Sequence, residues 1–445
     1  MNLGPLAAQM QSLLDTIAEP IAWQSRCCRR PSPLAGAPLL QTVVLTCLAH
    51  PQPKVEDFAQ VAATLDHPVT PQAIDQRFTP QLAQALQDLL AQTVRTLLAR
   101  NPVTTALLAK FTAVEVQDSS TITLPDRLAD RWPGCDTATG QGGRAAVKVQ
   151  VRLDLRSGRL SAVRLEAGRA SDQRTPLQTA DLQPGSLHLR DLGYFGLDVL
   201  QAIAGAGAFF LSRLQDSTAL FAADGQRLDL AAFLGRQRGA VVDVPVTIGV
   251  QHRLAGRLVA VRLPEEVANR RRQQLYAKAR KKGYAPSQDK LALCAWNFYV
   301  TNAPAAQLSV EEVLALARAR WQVECLFQQW KMDGGLARVR SGKPWRIVGE
   351  VLGKLIALLL QHAVLVRCVW QRANRSLRKA ANAVRRQAGQ LIAALGDVRQ
   401  LRRALEAIGR SLTKGAKVDK RRQHPSAFQV FDDPKMCGYK IKRLA

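Results

Sequence analysis

Between residues 108 and 215 the spacing of the apolar residues drops to two, and that change constrains the fold more than any other feature of the chain. Val147, Val149, Val151, Leu153 and Leu155 alternate with Lys148, Gln150, Arg152 and Asp154, the period a β-strand requires. Val114-Glu115-Val116-Gln117 supplies a strand before this block, and residues 160–165 a further one after the Ser157-Gly158 turn. Leu187-His188-Leu189-Arg190 makes a fourth and residues 208–211 a fifth, with a helix over 197–204 between them. Three strands followed by strand, helix, strand predict an α/β fold: a mixed sheet flanked by helices. Asp118 closes the first strand and Asp191 the fourth in this reading, so two carboxylates at strand ends can lie side by side.

The flanking segments have different periods. Residues 1–107 read as helical, with Leu82, Leu86, Leu89 and Leu90 at helical spacing. Thr70 before Pro71 fits a helix N-cap, and Gln72, Gln76 and Arg77 follow on that helix. A helix-turn-helix DNA reader and an ordinary helical bundle fit these residues equally well. Residues 216–304 return to strand-like alternation and read as a β-rich insertion. Helix resumes at Ser309, an N-cap with Glu311 and Glu312 in the first turn. The expected organisation is therefore a helical domain (1–107), DNA-end-binding in the helix-turn-helix reading, an α/β domain in two parts (108–215 and 305–375) split by the insertion (216–304), and a basic helical C-terminal region (376–445).

Charge narrows the partner. Lys and Arg number 62 against 35 Asp and Glu, a formal net charge of +27, which points to a polyanion. From residue 371 onward there are 19 Lys/Arg against 5 Asp/Glu, a composition suited to a phosphate backbone. An anionic membrane surface would attract the same charge. However, the most apolar stretch, residues 351–366, is interrupted by Lys354, Gln361 and His362, so it reads as a buried core helix and not as a membrane anchor. The first residues lack a basic region followed by an apolar run, and a cytoplasmic, nucleoid-associated protein is expected. The eight cysteines contain no C-x-x-C pair, so reduced thiols are expected and a zinc site is not.

Arg320, Glu324, Gln328 and Lys331 are spaced four, four and three apart, along one face of a helix, with Val323, Leu326 and Trp330 forming an apolar stripe beside them. A carboxylate between two cations can ligate a metal while the cations hold phosphates. A solvated face with intrahelical salt bridges has the same pattern. Displacement at phosphorus needs hard oxygen ligands around two divalent ions, and Asp118 and Asp191 are the natural companions of Glu324. Each aspartate, taken alone, also fits a turn cap.

These residues resemble the DDE transposases of bacterial insertion sequences, specifically the fourth insertion-sequence family with its Y-x2-R-x3-E-x6-K motif. Arg320, Glu324 and Lys331 match the R, E and K positions. Gln117-Asp118-Ser119-Ser120 and Arg190-Asp191-Leu192-Gly193-Tyr194-Phe195 match the surroundings of the two aspartates, and Gly142-Gly143-Arg144-Ala145-Ala146-Val147-Lys148 the strand between them. The motif's Tyr position falls on Ala317, so a contact from that aromatic to DNA is missing. The resemblance implies a ribonuclease-H-like catalytic fold with Asp118, Asp191 and Glu324 holding two Mg²⁺ ions, Mn²⁺ being the alternative. It further implies cut-and-paste chemistry through a hairpin at the element end. The partners implied are double-stranded DNA, as terminal inverted repeats and as target, and a second copy of the chain in a synaptic dimer.

Arg320 and Lys331 are expected to position the DNA end. Arg271, Arg272, Lys281 and Lys282 lie in basic runs expected to neutralise phosphates. Trp296 is the candidate for stacking on a flipped base, and a core tryptophan in a buried strand explains it equally well. Two other functions share these residues: a structure-selective nuclease of the same fold, which cuts without joining, and a catalytically inactive DNA-binding derivative.

Overall fold

The computed structural model describes residues 2–97, 105–135, 144–370, 372–418 and 426–437. Gly142, Gly143 and the basic run Lys420-Arg421-Arg422 lie outside them. Ten strands occur among the described residues: β1 (Val114–Leu124), β2 (Ala145–Asp154), β3 (Leu160–Ala167), β4 (Leu187–Arg190), β5 (Phe209–Arg213), β6 (Leu220–Phe221), β7 (Arg227–Leu228), β8 (Val241–Ile248), β9 (Leu254–Arg262) and β10 (Trp296–Thr301). The five strands expected in the first part of the α/β domain are all present. The chain divides into two compact units: Met1–Val103, Gln117–Ser171 and Gln322–Phe428 form the first, and Thr104–Val116, Asp172–Trp321 and Gln429–Ala445 the second.

In the first unit the strands run β3-β2-β1, with β2 and β3 antiparallel. Every residue of β2 is buried, including the polar ones that alternation would give to solvent. Their groups are satisfied inside the protein: Gln150 donates to Glu166 Oε2 at 3.3 Å and Arg152 Nε to Ser161 Oγ at 3.0 Å, as burial of polar atoms demands.

The same unit is built on the helix Pro344–Cys368, against which the helices Ala37–Ala49 and Pro80–Thr96 pack. It is long and apolar enough to cross a membrane, but 89% of its most apolar window is buried inside the protein, as expected for a core helix. Each fully buried Leu there contributes about 1.5–3 kcal/mol. Glu350 and Lys354 sit within this helix at 0% and 1% exposure. Arg346 Nε lies 2.9 Å from Glu350 Oε1, and Lys354 Nζ lies 3.7 Å from Glu350 Oε2. Burial raises the Glu350 pKa and lowers that of Lys354, with the partner charges opposing each shift.

The helix Pro71–Asp75 starts as expected, with Thr70 Oγ1 accepting from Ala73 N at 3.2 Å. It spans only five residues, little more than one turn. Arg77 is bound to Ala73 O and Ser32 Oγ. These features favour the helical bundle over a recognition helix lying along a groove.

In the second unit the strands run β1-β4-β5-β10-β9-β8-β6-β7. β1 and β4 are parallel, as are β4 and β5, and the helix Leu197–Gly205 makes the crossover that a parallel pair requires. β10 pairs antiparallel with β5, so the expected β-rich insertion continues the catalytic sheet edge to edge. Its core gathers Phe210, Leu234, Ile248, Leu258 and Val300, among others.

Candidate active site

Asp118 is the fifth residue of β1, which continues to Leu124. The strand-end expectation therefore fails for Asp118, because Ser119, Thr121 and Thr123 alternate with buried Ser120, Ile122 and Leu124 and keep the chain extended. What ends near Asp118 is the pairing with β4, whose last partners are Val116 and Leu189. Asp118 and Asp191 each follow a member of that last pair by two residues in sequence. Asp191 does follow the end of β4, as the N-cap of the short 3₁₀ turn Leu192–Tyr194.

Within the first unit, Asp118 Oδ1 accepts from Ser119 N at 2.8 Å. Glu324 and Lys331 lie on the helix Trp321–Met332, held by buried Val323, Leu326, Phe327 and Trp330. Phe327 and Trp330 meet edge to face with centroids 5.8 Å apart. The Lys331 pKa is lowered, because burial outweighs the opposing attraction of Asp118; the Lys331 ammonium thus feels the Asp118 carboxylate. The turn after this helix is tied to the core, since buried Lys354 Nζ donates to Gly335 O at 3.2 Å and to Arg338 O at 2.6 Å.

The single helix expected from Ser309 is two helices, Val310–Ala319 and Trp321–Met332, with Arg320 at the junction. Ser309 caps the first through a reciprocal box, accepting from Glu312 N at 3.3 Å while its own N donates to Glu312 Oε2 at 2.9 Å.

Within the second unit, the Arg320 guanidinium lies 3.8 Å from Asp191 Oδ2, the two side chains being 17% and 37% exposed. Both groups stay accessible, and a pair of this kind is worth no more than about 1 kcal/mol. Arg320 also lines a cavity of about 350 Å³. Leu189 of β4 and Leu211 of β5, paired in register, contribute its apolar wall. Arg190, Arg213, Arg271 and Arg318 join Arg320 around it, together with Asn297, Tyr299, Ala317 and Trp321. Ala317, the position where the expected motif would carry an aromatic, lies on this cavity wall. Arg190 is held by Gln178 O at 2.8 Å, and Arg271 by Asn297 Oδ1 at 2.8 Å and Trp296 O at 3.2 Å. Fixed guanidiniums of this kind suit phosphate oxygens.

The remaining expected DNA contacts are placed less favourably. The Trp296 ring is 4% exposed within the core of the second unit, and the Arg262 guanidinium lies over it at 4.6 Å. That placement is the core-tryptophan reading, not an open stacking platform. Arg272 is engaged by Glu265 at 2.6 Å and by Asn269. Lys281 and Lys282 are exposed at the end of the helix Glu265–Lys281. Arg190, Arg213, Arg318 and Tyr299 were not singled out by the sequence. The signal for Arg190 and Arg213 lay in their positions at the ends of neighbouring strands.

Another catalytic arrangement is present by distance alone. Ser186 Oγ lies 3.0 Å from His188 Nε2, and His188 Nδ1 lies 3.5 Å from Glu115 Oε2, the order of a serine–histidine–acid relay. Ser186 is 1% exposed and donates to Gln183 O at 2.6 Å, so its oxygen is not presented to a substrate.

Among the described residues no ready-made group of three His, Cys, Asp or Glu side chains stands close enough to hold an ion. The donor chemistry nevertheless fits a hard cation. Asp118, Asp191 and Glu324 are carboxylates, each only partly buried, with Lys331 beside Asp118 in the first unit and Arg320 beside Asp191 in the second.

Residues 112–360 match the family model described as "Transposase DDE domain", a span that covers more than half of the chain and all of the residues just described. The chain is similar to the transposase for insertion sequence element IS231F of Bacillus thuringiensis subsp. israelensis, 24% identical over 381 residues, 81% of this chain and 79% of the relative. It is also similar to the IS231B transposase of Bacillus thuringiensis subsp. berliner, 25% identical over 323 residues (68% and 67%), and to the IS1151 transposase of Clostridium perfringens, 26% identical over 320 residues (66% and 66%). The fold, the order of the carboxylates and these likenesses agree: the chain belongs to the DDE transposase family of metal-dependent enzymes that cleave and transfer DNA.

Proposed function

We propose that the protein moves an insertion sequence by a cut-and-paste route, with Asp118, Asp191 and Glu324 as its catalytic carboxylates. The observation that carries this reading lies within the second unit: the Arg320 guanidinium stands 3.8 Å from Asp191 Oδ2 and lines an arginine-rich cavity. The three carboxylates would hold two Mg²⁺ ions, which when bound activate the attacking oxygen and neutralise the leaving one.

The chain's own cations do the positioning. Arg320 and the arginine-lined cavity grip the phosphates beside the scissile bond, Lys331 adds charge near Asp118, and the tethered Gly335–Arg338 turn keeps the Glu324 helix in place. Water opens the phosphodiester at the element end, and the freed 3′-hydroxyl attacks the opposite strand to form a hairpin. Water reopens the hairpin, and the 3′-hydroxyl then joins target DNA. Two ends must be held together for that last step, which calls for a synaptic homodimer. Trp321, 51% exposed and on the cavity wall, is better placed than Trp296 to stack on a base.

The test is purified protein with Mg²⁺, a duplex carrying the element's terminal inverted repeat and a supercoiled target plasmid. Hairpin ends and joined plasmid support the proposal. Cleavage without joining would identify a nuclease, and Mg²⁺-independent binding without cleavage an inactive DNA-binding derivative.

A further inference from the structure

Cys27 and Cys28 follow the helix Ala18–Gln24, and neither has a place in the proposed catalytic machinery. Their sulfurs are 3.9 Å apart. Cys28 Sγ accepts from the backbone N–H of Gly36 at 3.2 Å, while Cys27 Sγ donates to Ala22 O at 3.2 Å. Cys27 is half-buried and Cys28 is 8% exposed, so a reagent reaches the pair from the Cys27 side. Arg26, immediately before the pair, has φ 58, a backbone state costly for a residue other than glycine. The turn is thus held by its surroundings. The neighbouring Cys27 sulfur, the Gly36 amide and the Arg77 charge together lower Cys28 to about 6, while the Cys28 sulfur and burial raise Cys27. Cys28 is therefore the easier of the two to deprotonate.

The spacing decides what such a pair can take. A disulfide needs sulfurs about 2.05 Å apart and Cα atoms about 4.4–6.8 Å apart, whereas adjacent residues across a trans peptide have Cα atoms about 3.8 Å apart. Oxidation to a vicinal disulfide is therefore strained. A soft atom bound to two thiolates at about 2.3 Å each can bridge sulfurs up to about 4.6 Å apart, so the observed 3.9 Å lies within its reach. We infer that Cys27 and Cys28 form a dithiol chelation site for a trivalent arsenical.

The chemistry balances without an oxidant. With an organoarsenic(III) oxide, the Cys28 thiolate attacks arsenic, Cys27 adds as the second ligand, and two As–S bonds replace the arsenic–oxygen bond. The oxygen leaves as water, taking the Cys27 thiol proton and one proton from solvent because Cys28 enters as the thiolate, and arsenic stays trivalent. The adduct would lock the segment that runs on to Ser32, whose hydroxyl accepts from Arg77.

The experiment treats the full-length protein with an equimolar amount of phenylarsine oxide, followed by intact-mass analysis and alkylation mapping. One adduct per chain is expected. It should protect the Cys27–Cys28 peptide from iodoacetamide, survive excess monothiol and be removed by 2,3-dimercaptopropanol. Cys27→Ser and Cys28→Ser should each weaken binding at least about 100-fold, the loss of a chelate's second bond. No adduct at equimolar reagent, protection mapping to other cysteines, or an equally stable adduct in both variants would overturn the inference. Should a variant fail to fold, the wild-type protection map alone decides.

Discussion

His362 is fully enclosed in the long core helix of the first unit, and its ring nitrogen donates to Gly158 O at 2.7 Å. Burial depresses its pKa from 6.5 to about 4, the hydrogen bond only partly opposing this. The folded state therefore prefers neutral imidazole, and the stability this contributes is fully present above the unfolded pKa near 6.5. It is lost as pH falls from there toward 4. A gap of about 2.5 units at about 1.36 kcal/mol each amounts to roughly 3 kcal/mol. Carboxylates titrate in the same window, so the quantity to follow is the difference between wild type and His362→Gln in urea unfolding at several pH values. Gln keeps a donor for Gly158 but does not titrate. The wild-type advantage at pH 8 should shrink by about 3 kcal/mol on reaching pH 4. A difference that stays constant with pH would refute the reasoning, because it would mean that the imidazole is as easily protonated folded as unfolded.

Two further outcomes follow from the same physical accounting. Lys354→Met leaves Glu350 buried beside Arg346 alone and cuts both tethers to the Gly335–Arg338 turn; it should cost about 3 kcal/mol or more in chemical denaturation, and Glu350→Gln in the same chain should recover part of that loss. Ala317→Tyr restores an aromatic hydroxyl on the arginine-lined cavity wall; it should tighten binding to an inverted-repeat duplex about fivefold, equivalent to about 1 kcal/mol for a new hydrogen bond, in a titration at fixed salt.

The catalytic sheet could be read from the sequence because period-two alternation and the Leu197–Gly205 crossover are local signals, and so could the capping box at Ser309. Other features depend on contacts distant in sequence. The burial of Lys148, Gln150 and Arg152 reflects β2 being covered on both faces, so polar residues alternate there without meeting solvent. The junction at Arg320 interrupts a sequence whose helical pattern is unbroken. Of the candidate site, the Arg320–Glu324–Lys331 spacing was legible, but the arginine cavity was not: Arg213 and Tyr299 face each other only through the β5–β10 register, across 86 residues of chain. Trp296 shows the same limit, since an aromatic in a strand looks identical from sequence whether it packs in a core or stacks on a base.

Strand transfer with Mg²⁺ on an inverted-repeat duplex and a target plasmid tests the catalytic role of the three carboxylates most directly. Asp118→Asn, Asp191→Asn and Glu324→Gln should each bind the duplex as the wild type does and lose joining by about a thousandfold or more, on the order of 4 kcal/mol of transition-state stabilisation. Intact joining by Glu324→Gln would contradict the account.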